Sequence, residues 1–173
     1  YSDFGDFVVL AGRPSAGKTA LALQMATHMG WRAKVGFYSL ETTPSKLINR
    51  IVSNRAIIDF GHINRREMTP EEWTRLNRLQ REITESDIEL VHAPGWSVQN
   101  ILDCARSRRH RIVFIDYLQL LRAPGRDRVT VVTNISMGLH TMAQDQKILV
   151  VALSQFSRAS EARDGEPSLT DLR

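Results

Sequence analysis

Apolar positions along the chain fall into two alternating patterns. Phe7-Val8-Val9-Leu10-Ala11 is an uninterrupted apolar run that stops at Gly12, as expected of a short strand buried on both faces. The next segment changes period. Leu21, Ala22, Met25, Ala26 and Met29 share one helical face, and Gly30 ends it. Further strands are predicted at 35–40, 88–91, 112–115 and 148–153, the fourth running Ile112-Val113-Phe114-Ile115 into Asp116.

Helical patterns fill the gaps. One starts at Pro44 or Ser45, with Leu47, Ile48, Ile51 and Val52 inward. Thr69-Pro70-Glu71-Glu72 is a capping box with proline at the first helical position, continued by Trp73, Leu76, Leu79 and Ile83. Ser97 caps a helix carrying Val98, Ile101, Leu102 and Ala105, and Ile135, Leu139, Met142 and Ala143 mark another. Stretches 123–128 and 157–167 read as loops. Strands alternating with helices predict an α/β fold, a mostly parallel central sheet with helices on both faces.

Composition narrows this picture. A length of 173 residues suits one domain. Hydrophobic residues at 42% and charged residues at 24% exclude disorder, collagen and coiled coil as overall classes. The single cysteine, Cys104, rules out an internal disulfide and a multi-cysteine zinc site, and reads as a small buried apolar residue. No apolar run approaches the ~20 residues of a membrane span, and no signal peptide is visible. The histidines at 28, 62, 92, 110 and 140 lack metal-ligand spacing. A net charge of +4 is compatible with nucleic acid without requiring it. The basic cluster 106–111 reads as a solvated helix end. Tyr1 opens the chain without an initiator Met, and Arg173 closely follows a helix-start-like segment at 167–171. A piece of a longer protein, cut at both ends, is therefore expected.

Chemistry is concentrated in a few places. Gly12-Arg13-Pro14-Ser15-Ala16-Gly17-Lys18-Thr19 fits G-x-x-x-x-G-K-[ST], between a predicted strand and a predicted helix. Glycines let the backbone curl so that its N–H groups face phosphate oxygens, and the helix that follows offers its positive end. Lys18 adds charge at the β- and γ-phosphates, and the Thr19 hydroxyl can ligate Mg²⁺. Asp116, delivered by an apolar strand, is the expected second contributor to Mg²⁺. Glu41 follows the second strand, where a carboxylate can polarise the attacking water or be an ordinary solvated loop residue. Gln155 ends the fifth strand, where an amide can report a γ-phosphate or be a polar strand end.

Gly12 to Thr19, Ser39-Leu40-Glu41, Ile115-Asp116-Tyr117-Leu118-Gln119-Leu120 and Ala152-Leu153-Ser154-Gln155 occur in this order. Together they resemble the C-terminal RecA-like ATPase domain of DnaB-type replicative helicases of bacteria and phages, over nearly the whole chain. The terminal Asp171-Leu172-Arg173 resembles the start of a further family motif. Ala16 stands where the family often has Met, a position that is not a phosphate ligand.

The resemblance implies a single RecA-like P-loop domain over 1–173 that lacks later strands of its sheet. It implies ATP and Mg²⁺ as cofactors, with Glu41 as catalytic base, Lys18 on the phosphates and Gln155 coupling the γ-phosphate to DNA-binding loops. Arg173 would open a loop on single-stranded DNA. The fifth strand would lie between the first and fourth, with the second beyond the fourth. A homohexameric ring in the bacterial or phage-infected cytoplasm is implied, working on single-stranded DNA with a helicase loader and primase as partners and no membrane. The arginine that completes each site would come from a neighbouring subunit, from sequence beyond Arg173. Two other readings stand beside this one: a recombinase-type ATPase that forms filaments, and a nucleotide-gated assembly or loader module without rapid turnover.

Overall fold

The five apolar segments form one five-stranded sheet. The computed structural model describes residues 3–156. Its strands are β1 (Phe7–Gly12), β2 (Val35–Ser39), β3 (Ile88–His92), β4 (Ile112–Asp116) and β5 (Leu149–Gln155), in the order β1-β5-β4-β2-β3. Every neighbouring pair is parallel, and the order is the one the family resemblance implies. β2 and β4 are buried at every position, and β5 at all but its last. The edge strands of the described sheet, β1 and β3, are mostly half-buried.

The described residues form six helices: α1 (Lys18–Met29), α2 (Pro44–Ala56), α3 (Phe60–Arg65), α4 (Pro70–Glu85), α5 (Val98–Arg108) and α6 (Arg128–Gln146), with a 3-10 turn at Leu118–Leu120. Side chains alternate along each strand, so the core has two halves. Tyr38, Val113, Ile115 and Val150 meet Ile101, Ile135 and Leu139 under α5 and α6. Phe37, Phe114 and Val151 meet Ala22, Leu23, Leu47 and Ile51 under α1 and α2. Phe37 and Phe114 stack with ring centroids 5.9 Å apart. A smaller cluster of Val52, Ala56, Ile58 and Leu79 joins α4 to α2.

Three sequence expectations need correction. The inward row of α1 is Ala22, Leu23, Ala26 and Thr27, while Leu21 is 47% exposed. The small Ala22 and Ala26, both at 0% exposure, let the helix approach the sheet closely; Leu21 is turned out, while Met25 and Met29 are half-buried at the margin of the core. Ile48 is exposed for a related reason: an apolar stripe can be wider than the strip of helix that meets a neighbour. Cys104 is half-buried at the rim of one core half. The short α3 has too few residues to show a period; Asp59 caps it by accepting from the Gly61 and His62 N–H groups.

The amino-terminal edge of the sheet is closed by charge. Glu89 on β3 meets Lys34 at 2.9 Å, Arg108 at 2.8 Å and His110 Nε2 at 3.2 Å. These partners hold its carboxyl down to about 2, with Arg108 the largest cause and Lys34 the next. The buried His110 also meets the Tyr38 hydroxyl at 2.9 Å through Nδ1. With Nε2–H donated to Glu89, Nδ1 accepts the Tyr38 proton. Gly36 lies against this pair: a Cβ there would run into the imidazole and sit 2.8 Å from Tyr38 Cε2. Most of the basic cluster is thus tied down within the chain. Arg108 holds Glu89, Arg106 donates to Gln146 at 2.8 Å and Arg111 lies over the Phe4 ring.

Candidate nucleotide site

The opposite, carboxyl-terminal edge opens onto a cleft of about 640 Å³. Its floor is the loop from Gly12, the end of β1, to Lys18, the start of α1. Ser15 at φ 60° and Gly17 at φ 85° turn the backbone through the left-handed region, which a glycine enters without steric cost. The Ala16 N–H donates to the Arg13 carbonyl at 3.3 Å and tightens the bend. Asp59, Thr69, Ser97 and Asp127 cap α3, α4, α5 and α6 with side-chain hydrogen bonds. α1 and α2 have no such cap. The start of α1, with Gly17, Lys18, Thr19 and Ala20, lines the cleft, and the free N–H groups of a helix start suit an anion.

Lys18 Nζ donates to the Gly12 carbonyl at 2.9 Å and the Arg13 carbonyl at 2.7 Å. Burial draws its pKa down, and the charge of Asp116 works against that. Thr19 Oγ1 donates to Asp116 Oδ2 at 2.8 Å, bringing together two residues 97 positions apart. Asp116 is 7% exposed. Burial raises its pKa, the Thr19 hydrogen bond and the nearby Arg50 and Lys18 charges lower it, and Glu41 raises it.

Strand register explains why the two acids are neighbours. Ser39 of β2 pairs with Asp116 of β4, and the Leu40 N–H donates to the Asp116 carbonyl at 2.9 Å. Glu41 therefore leaves the sheet beside the Asp116 turn, exposed and lining the cleft. The Thr42 N–H donates to Ser39 Oγ at 3.1 Å and folds this loop back. Gln155, the last residue of β5, pairs with Gly12 and lines the same cleft. The predicted residues from Gly12 to Thr19, with Glu41, Asp116 and Gln155, thus converge on one edge. Arg173 lies outside the described residues, as does the 157–167 loop.

The sequence reading passed over several contributors. Arg50 and Asn54 reach the cleft from α2, Phe60 from α3 and Tyr117 from the turn after β4. The polar face of α2 was the available signal, since Arg50 lies three residues past the inward Leu47. Gln119 stood inside a noted motif but without a role. The oxygens of Thr19 and Asp116 fit a hard cation. No group of three or more His, Cys, Asp or Glu able to hold a metal alone occurs among the described residues. This donor set suits Mg²⁺, which binds through one or two protein oxygens, substrate phosphates and water.

A parallel sheet in this order, with a phosphate-binding loop after its first strand and an acid ending the strand two places away, defines the RecA-like P-loop class. Within that class, the family model for the DnaB-like helicase C-terminal domain matches residues 3–173, and the chain belongs to this family. It is 38% identical to the replicative DNA helicase DnaB of Rickettsia typhi, over 97% of this chain and 38% of that protein. A probable plasmid replicative DNA helicase of Chlamydia trachomatis is 34% identical, over 98% of this chain and 39% of that protein. The chain therefore spans about two fifths of the length of these relatives. Among solved structures, a DnaB-like replicative helicase studied with primase superposes with a TM-score of 0.91 at 37% identity, over 99% of this chain and 44% of that one. A second solved structure, described as an ATPase domain, gives 0.92 at 37% identity, over 99% of this chain and 65% of that one. No helix among the described residues is long and apolar enough to cross a membrane.

Proposed function

We propose that this chain is the motor domain of a replicative DNA helicase, binding ATP with Mg²⁺ in the cleft and hydrolysing it to move along single-stranded DNA. The observation that carries the reading is the Thr19–Asp116 hydrogen bond beside Lys18 and the uncapped start of α1, in a chain of the DnaB-like family. Mg²⁺, held beside Thr19 and Asp116, would neutralise negative charge on the phosphates. Lys18 exchanges its two loop carbonyls for phosphate oxygens. Thr19 and Asp116 present the oxygens that orient the ion. Glu41 holds and polarises the attacking water from the neighbouring strand end. Gln155 meets the γ-phosphate through its amide and passes its presence to the segment that follows β5.

The working form in this proposal is a homohexameric ring in the cytoplasm of a bacterium or a phage-infected cell. Arg173 belongs to a loop on the DNA strand, and a loader and primase are partners. A neighbour's arginine completes each site, a contribution worth about 10³–10⁵ in rate in related enzymes. Hydrolysis per subunit then rises with concentration as rings assemble. The family match favours this reading over a recombinase-type ATPase. Unwinding of a forked duplex by the polypeptide carrying this domain is the test. ATP-dependent strand separation is expected. ATP-driven filament formation and strand pairing without unwinding would overturn the helicase reading in favour of the recombinase, and binding without turnover would favour the loader module.

A further inference from the structure

Gln119 is joined to the end of β5 in an unusual way. β4 and β5 pair from Ile112↔Leu149 to Ile115↔Ala152. β1 accompanies β5 three residues further, to Gly12↔Gln155. On the β4 side the chain has by then turned away, through Asp116 and Tyr117 into the 3-10 turn at Leu118–Leu120. The side-chain amide of Gln119 occupies that flank. Its Nε2 donates to the Gln155 carbonyl at 2.9 Å and to Ser154 Oγ at 2.8 Å. Its Oε1 accepts the Gln155 N–H at 3.4 Å. A carboxamide has the donor and acceptor of a peptide group, so one side chain stands in for the strand that is missing here. Ser154 is buried, and a lost partner there would leave a polar group unsatisfied.

From this geometry we infer that Gln119 is a positioning residue: it fixes Gln155 at the γ-phosphate and ties it to the turn that carries Asp116. The inference rests on the reading of Gln155 given above. Without Gln119, the last residues of β5 are held by β1 alone, and the backbone that carries the Gln155 side chain loses its anchor on the β4 side. The nucleoside and the α- and β-phosphates meet other parts of the cleft. Nucleotide lacking the γ-phosphate therefore binds as before, while the response to the γ-phosphate weakens.

The test is a double-mutant cycle in the assembled polypeptide that carries this domain, with Gln119→Ala, Gln155→Ala and both together. The measurements are kcat and KM for ATP with and without single-stranded DNA, and equilibrium binding of a fluorescent ADP. Gln119→Ala is expected to lower DNA-stimulated kcat by about ten- to a hundredfold, the scale of one or two lost polar contacts at a reacting site. ADP affinity should stay within about twofold. In the Gln155→Ala background, Gln119→Ala should add no further loss, because its effect passes through Gln155. If Gln155→Ala alone leaves kcat and its DNA stimulation unchanged, the Gln155 reading fails and this inference falls with it. If Gln155→Ala is impaired but Gln119→Ala turns over normally, or the two losses multiply, only the Gln119 inference is overturned. A drop in ADP affinity matching the drop in kcat would mark Gln119 as a general fold element and also overturn it. Gln119→Met keeps the length and apolar stem while removing donor and acceptor, and it is read by the same criteria if Gln119→Ala does not assemble.

Discussion

The two edges of this sheet use the same residue types to opposite ends. At the amino-terminal edge, Glu89 is surrounded by Lys34, Arg108 and His110 within 3.2 Å, and His110 is itself fixed by Tyr38. The protein supplies every partner. At the carboxyl-terminal edge, Lys18, Asp116, Glu41, Arg50 and Gln155 surround a cleft of about 640 Å³. Lys18 rests on two backbone carbonyls there, and Thr19 on Asp116. In the proposed function a nucleotide entering the cleft would exchange those contacts for phosphate oxygens and a cation. A charge cluster with internal partners is a lock. One that lines an open cleft is a candidate site. Changes at one edge should therefore alter chemistry and leave folding alone, and changes at the other should do the reverse.

The largest effect is expected at Glu41. Glu41→Gln should keep ATP binding and lower hydrolysis by about 10²–10⁴, the range for losing a general base. Steady-state turnover beside a binding titration checks this. Lost affinity would instead make Glu41 a structural or metal-binding residue, and no change would put the base elsewhere. Next comes Lys18→Ala, which removes the charge aimed at the β- and γ-phosphates. A fall of about 10²–10³ in kcat/KM is expected, with an unchanged melting temperature in the absence of nucleotide. Normal ATPase activity in that variant would refute the role given to the loop.

The amino edge answers to different changes. Gly36→Ala drives a methyl group into His110 and Tyr38. A loss of about 1–3 kcal/mol is expected, a melting point lower by roughly 2–12 °C, with nucleotide affinity of the folded protein retained. Acid provides a smaller and graded effect. Burial lowers the pKa of His110 below its ordinary 6.5, so its contribution is complete above that pH and declines as pH falls, since the unfolded chain takes the proton first. Glu89 is depressed from 4.5 to about 2. Its contribution is complete above 4.5 and is lost as pH falls towards 2. Denaturant unfolding at several pH values should show both steps in the wild type and a smaller lower step in Glu89→Gln, what remains coming from Glu72 and Asp127, whose carboxyls are also held below their ordinary range. A lower step of undiminished size in Glu89→Gln would place the acid-sensitive charge elsewhere.

Sequence and structure agree best where one local rule determines the outcome. Short apolar segments, four of the five of them continuous runs, located the strands, and the capping box at Thr69 and the cap at Ser97 placed two helix starts within a residue. The phosphate-binding loop was legible because its glycine and lysine spacing is dictated by one local geometry. Asp116, Glu41 and Gln155 were visible only as strand ends; their convergence depends on sheet order and register, which the residues alone do not encode and the family resemblance supplied. Leu21 and Ile48 were misplaced because hydrophobic spacing locates a stripe and not its contact line. Arg50, Phe60 and the Gln119 clamp were missed because each acts across elements distant in sequence. Arg50 lies on a polar helix face, Phe60 on a helix too short for periodicity, and Gln119 bonds a strand 35 and 36 residues away.

The central claim is that the carboxyl edge is completed by a Mg²⁺-bound nucleotide and the amino edge is not. Its most direct test is the change in melting temperature on adding Mg-ATP to the wild type, Lys18→Ala and Gly36→Ala. Ligand at a hundred times its dissociation constant stabilises a fold by about 2.7 kcal/mol, roughly 5–11 °C for a domain of this size. The account predicts that increment in the wild type, its loss when EDTA removes the metal, its near-absence in Lys18→Ala and its full retention in Gly36→Ala from a lower starting point. An equal increment in wild type and Lys18→Ala, or one indifferent to EDTA, would contradict it.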